Sequence, residues 1–120
     1  MDFPIVLCND FFPAQAFFNS MKDRDFISTL EEFAKGIGRG FDDAVCEFPG
    51  ELVSEDQPFK GVKFYLFEDE VVLSKLDFLR VLEEACLIYI ARHPGDRIRI
   101  EELLGLIEVR NDIFNDTGGK

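Results

Sequence analysis

Val62-Lys63-Phe64-Tyr65-Leu66-Phe67, Glu68-Asp69-Glu70, Val71-Val72-Leu73 and Ser74-Lys75-Leu76-Asp77 follow one another without a break, and their reading decides the fold. β-Branched and aromatic residues fill both apolar runs, which predicts two arms of a hairpin with the three acids as its tip. Ser74 then opens a capping-box-like start: its hydroxyl can accept from the amide of Asp77, whose carboxylate can reach back. A long helix is expected from there through Ile90. Its apolar residues Phe78, Leu79, Val81, Leu82, Ala85, Cys86, Ile88, Tyr89 and Ile90 cover more than half the circumference. Only a stripe of Asp77, Arg80, Glu83 and Glu84 is left for solvent, so this helix should be central and packed across the sheet.

On the C-terminal side, His93-Pro94-Gly95 breaks the helix and Asp96 can cap another, in which Ile100, Leu103, Leu104 and Ile107 form an apolar stripe opposite Arg99, Glu102 and Arg110. Residues 1–112 read as one domain, and residues 113–120 as a frayed tail.

On the N-terminal side, Asp43 to Phe48 alternates like a strand and stops at Pro49-Gly50, after which Glu51 to Pro58 reads as an acidic loop. Asp25 can cap a helix in which Phe26, Ile27, Leu30, Phe33, Ala34 and Ile37 recur at three- and four-residue steps, until Gly36, Gly38 and Gly40 end it. Pro13 suits the first turn of a shorter helix carrying Ala16, Phe17 and Met21. Phe3 to Leu7 reads as an edge strand, where the missing N–H of Pro4 is tolerated. Helices flanking a block of strands indicate an α+β fold, with a sheet of three or four mostly antiparallel strands.

The chain has 120 residues, and its 47% hydrophobic content with 14 Phe is enough to fill a core. The formal net charge of −11 disfavours direct contact with nucleic acid or an anionic membrane. Three cysteines without CxxC spacing, Cys8, Cys46 and Cys86, fit neither a disulfide framework nor a zinc site, so a reducing cytosol is expected. No basic leader followed by an apolar run is seen at the N-terminus, and no apolar stretch approaches the roughly 18 residues needed to cross a bilayer.

Chemistry is scarce. His93 is the sole histidine and sits beside Pro94 at a helix end, which favours a structural role over a catalytic one. Each cysteine lies in an apolar pattern, as a buried small hydrophobe does. Gly36-Ile37-Gly38-Arg39-Gly40 superficially resembles a phosphate loop, but it follows a helix and lacks a Gly-Lys-Ser/Thr ending. The carboxylates do not fall in a calcium-loop frame. No enzyme, metal site or cofactor is expected.

What stands out is where the charge lies. Residues 41–70 carry nine acids against two bases, net −7, whereas residues 1–40 and 71–120 are each net −2. The nine are Asp42, Asp43, Glu47, Glu51, Glu55, Asp56, Glu68, Asp69 and Glu70, set on a strand, a loop and a hairpin tip. If these elements adjoin, they form one negative docking face for a basic protein; the plainer reading is a solubilising surface. Tyr65 or Phe67 must point away from the face that Phe64 and Leu66 use, and an exposed aromatic among carboxylates suits an interface anchor.

Several short pieces, taken in order, carry a family likeness. They are Phe48-Pro49-Gly50-Glu51-Leu52, Pro58-Phe59-Lys60-Gly61-Val62-Lys63-Phe64, Glu70-Val71-Val72-Leu73-Ser74, then Ala85-Cys86, Tyr89 and His93-Pro94-Gly95-Asp96. Over roughly residues 12–105 the chain resembles the CdiI immunity proteins for ribonuclease toxins. The resemblance implies a cytosolic protein of a contact-dependent growth inhibition system, which binds the C-terminal toxin domain of a CdiA-type effector, one to one, and does no catalysis. It supplies no contact residues, so the nine acids are candidates on charge alone. The alternative from composition is an acidic protein-binding adaptor unrelated to toxins.

Overall fold

The computed structural model describes residues 12–41, 43–51, 60–110 and 112–114. In chain order it contains α1 (Phe12–Ser20), α2 (Phe26–Ala34), β1 (Gly40–Phe41), β2 (Ala44–Glu47), β3 (Val62–Leu66), β4 (Asp69–Leu73), α3 (Lys75–Arg92) and α4 (Arg97–Val109), joined by short 3₁₀ turns. The expected α+β class holds: the sheet has four strands in the order β1-β2-β3-β4, all antiparallel, and α3 is the long helix. The edge strand expected at 3–7 and most of the acidic loop lie outside the described residues.

One face of the sheet carries the core. Ala44 and Cys46 on β2, Val62 and Phe64 on β3 and Leu73 on β4 are buried, as the two-residue period of a strand requires. Phe17 of α1 sits edge-on to Phe64, with ring centroids 5.4 Å apart. From α3, Phe78 reaches both Phe64, at 6.2 Å, and Phe33 of α2, at 5.5 Å. Phe48 and Phe114 close the cluster against Phe78, each at 5.8 Å. Phe17, Phe18, Phe33, Phe48, Phe64, Phe78 and Phe114 thus form one buried aromatic cluster.

Helix ends follow local chemistry. Ser74 caps α3, its Oγ accepting from the amide of Asp77 at 3.1 Å, the forward half of the expected box. At the other end of the chain, α2 stops three residues short of Ile37. The amides of Gly36 and Ile37 donate to the carbonyls of Phe33 and Glu32, each at 2.9 Å, and Gly36 takes φ 78. This is a Schellman ending, which a residue with a Cβ fits poorly. The carboxylates of Asp25 and Asp96 make no capping bond, although both residues stand at helix starts. Instead, the Asp25 carbonyl accepts from Ser28 and Thr29, and the Asp96 carboxylate from Tyr89 Oη at 2.7 Å.

Two expectations change. The β3–β4 hairpin does not turn on Glu68-Asp69-Glu70: Leu66 pairs with Asp69 and Tyr65 with Glu70, so the loop is only Phe67-Glu68. Two-residue loops are the favoured hairpin connection, and pairing two further residues gains ladder hydrogen bonds. Likewise, Ile113 and Phe114, assigned to the tail by their position, are buried, and the amide of Gly61 donates to the carbonyl of Phe114. Apolar side chains that reach the aromatic core override a polar neighbourhood.

Candidate functional site

The sheet register brings two turns together. Ala44 pairs with Phe41 on one side and with Leu66 on the other, and Leu66 pairs with Asp69. This single row crosses all four strands, so the β1–β2 turn at Asp43 and the β3–β4 turn at Phe67-Glu68 leave the sheet at the same end. Asp43, Glu68, Asp69 and Glu70 are all exposed there. Phe67 stands among them with 77% of its surface exposed.

The second face of the sheet is set by the alternate residues. Val45, Tyr65 and Glu70 share one row, and Glu47, Lys63 and Val72 another. Val45 and Val72 are each 40% exposed, so the helices pack on one face of the sheet and leave these positions open. Tyr65 Oη donates to Glu47 Oε1 at 2.6 Å, and Lys63 Nζ lies over the Tyr65 ring at 5.5 Å from its centroid. The tyrosine is thereby engaged by an anion at its hydroxyl and a cation over its ring.

The nine candidate acids are therefore not all in one place. Four of them, Asp43, Glu68, Asp69 and Glu70, gather at the sheet end. Glu47 is half-buried on the open face, three residues up β2 or ~10 Å away at strand rise, and is engaged by Tyr65. Glu51 falls in the 3₁₀ turn Pro49–Glu51 that follows β2, at the far end of that strand. Asp42, Glu55 and Asp56 lie outside the described residues.

His93 belongs to a structural clamp. Its Nε2 is 2.7 Å from Asp23 Oδ2, while Arg92 Nη1 donates to Asp23 Oδ1 at 2.8 Å. The imidazole stacks on Tyr89 at 4.5 Å, and Tyr89 on Phe26 of α2 at 4.7 Å. Partial burial raises the Asp23 carboxyl, but the hydrogen bonds from His93 and Arg92 and their charges outweigh it and hold the group below its ordinary value. Burial, helped by the bond to Asp96, pushes the Tyr89 hydroxyl up to about 12. These contacts fasten the start of α2 to the end of α3.

Cys46 and Cys86 are buried, and burial followed by the charge of Glu83 pushes the Cys86 thiol up to about 12. A thiol so placed is protonated and inert as a nucleophile. Among the described residues no group of three or more His, Cys, Asp or Glu could hold a metal ion, and no helix is long and apolar enough to cross a membrane. A concavity of about 430 Å³ lies between α2 and α4 over Ala34, Leu103, Leu106 and Val109, with the Glu31–Arg99 ion pair, 2.9 Å, at its rim. It holds no convergence of reactive groups.

The sheet end thus combines four exposed carboxylates with an exposed aromatic ring. Sequence reasoning located the acids and offered Tyr65 or Phe67 as an anchor. The open-face residues Val45, Lys63 and Val72 were signalled only by the two-residue alternation of their strands. No curated protein matches the chain. A family model for CDI immunity proteins matches residues 10–104, most of the chain, and agrees with the resemblance in the short motifs. This is not an enzyme class; its role is to neutralise a cognate CdiA toxin domain, which places the toxin reading above a general adaptor. The chain belongs to the CDI immunity protein family.

Proposed function

We propose that this chain neutralises a ribonuclease toxin domain in the cytosol by setting the acidic end of its sheet, as a 1:1 complex, into the toxin's basic cleft. One observation carries this reading: the Phe41–Ala44–Leu66–Asp69 row directs two acidic turns, separated by more than twenty residues of sequence, to a single end of the sheet. Its nearest acids are Asp43, Glu68, Asp69 and Glu70, and they belong to the segment that holds seven of the chain's eleven net negative charges.

A ribonuclease has to hold a polyanion, so its cleft presents cations. Carboxylates can occupy the same positions as phosphate oxygens, and inhibition then requires only occupancy. Opposite charge also hastens capture, raising association from about 10⁵–10⁶ toward 10⁸–10⁹ M⁻¹s⁻¹ at low salt. Glu47, Glu51, Asp42, Glu55 and Asp56 extend the proposed contact set along the same segment.

Mixing the purified chain with the toxin domain encoded immediately upstream, and following RNA cleavage, tests the proposal. Cleavage should stop at equimolar chain. Undiminished cleavage in the presence of excess chain would reject it.

A further inference from the structure

Phe67 is the one non-glycine residue at positive φ among the described residues, at φ 56. For a bulky L-residue this is a disfavoured backbone, because the Cβ crowds the neighbouring carbonyl. Two-residue hairpin loops solve that problem with Gly, Asn or Asp at the positive-φ position. Here the position holds a phenylalanine, whose side chain the fold leaves largely in solvent. Among the described residues it is the most exposed large hydrophobic side chain, ahead of Ile98 and Val109 on α4. Asn or Gly would serve the isolated monomer better on both backbone and solvation grounds.

The surroundings say what kind of partner fits. Glu68, Asp69 and Glu70 follow it directly, all exposed, and the Asp43 turn leaves the sheet at the same end. A partner that accepts this tip must offer an apolar socket ringed by Lys or Arg. An aromatic residue surrounded by polar groups that exclude water is the arrangement in which interfaces concentrate their binding energy.

We infer that Phe67 is the anchor of the complex: it inserts into an apolar, cation-rimmed socket on the toxin domain, while the carboxylates around it steer the approach. This rests on the proposed docking of the acidic sheet end. Anchor and steering act on different rates, since rim charge changes association and a buried aromatic changes dissociation.

The test pairs stability with binding. Phe67→Gly and Phe67→Asn should keep or raise the melting temperature, since they relieve the turn. They should also weaken affinity for the upstream-encoded toxin domain at least about 30-fold, the equivalent of roughly 2 kcal/mol, mostly through faster dissociation. Phe67→Trp should bind within about threefold of the parent. Val109→Ala, which removes an equally exposed apolar side chain on α4, should leave affinity unchanged. Affinity of Phe67→Gly within threefold of the parent overturns the anchor, and a clear fall in its melting temperature overturns the premise that the turn is strained. Failure of the unmodified chain to bind the toxin domain at all would instead strike the docking proposal itself.

Discussion

Ala44 and Leu66 are paired across β2 and β3, and this pairing aligns the two acidic turns of the sheet. A slip of one residue would turn every side chain of β3 to the opposite face, burying Tyr65 and Lys63 and exposing Phe64. The register is therefore enforced by the aromatic core. The same packing that stabilises the domain positions its charge.

Reversal of Glu68, Asp69 and Glu70 together to Lys should slow association with the toxin domain by about tenfold or more and flatten its dependence on ionic strength. All three are exposed, so the melting temperature should hardly move. Stopped-flow association at two salt concentrations, with a thermal melt as control, checks both halves. Unchanged kinetics would place the contact elsewhere.

Leu82→Ala acts on the core. Leu82 is fully buried on α3, and its truncation should cost roughly 2–5 kcal/mol through lost burial and the cavity left behind. Denaturant unfolding measures this. A loss under about 1 kcal/mol would show that the site collapses without penalty.

Gly38 has no room for a side chain: an added Cβ would lie 1.8 Å from the carbonyl oxygen of Cys46 on β2. Gly38→Ala should therefore push the segment entering β1 off β2 and destabilise the protein by about 1–3 kcal/mol, although alanine is ordinarily the milder choice. An unchanged melting temperature would contradict this close approach.

The clamp at Asp23 predicts a pH dependence. Because the folded state holds this carboxyl below the ordinary value of 3.8, it contributes stability that is present above that value and lost as the pH falls through the lower folded value. Asp23→Asn should thus be less stable than the parent at neutral pH, with the gap closing in acid below about pH 4. Melting temperatures of both proteins from pH 2 to pH 7 check the sign; a gap that widens in acid would contradict it.

Much of this was legible in the residues. The capped start at Ser74, the length of α3 and the α+β class follow from patterns that dominate their local energetics: a side-chain cap and a broad apolar surface. The hairpin tip was not legible, because Phe-Glu carries no turn signal and its positive φ is imposed by pairing on both sides. The two residues of β1 are too short to show a period, and Ile113 and Phe114 pack only because the core reaches them. For the surface, composition could locate nine acids along the chain. Only the strand register shows that Asp43 lies at the same end of the sheet as Glu68 and Asp69, while Glu51 lies beyond the far end of β2.

Carboxylate footprinting of the chain, free and bound to its toxin domain, tests the central claim most directly, since each acid reports its own solvent access. The account predicts strong protection at Asp43, Glu68, Asp69 and Glu70 in the complex. Unaltered labelling at those four, with protection appearing instead at Glu31 and Glu102 beside the α2–α4 groove, would contradict it.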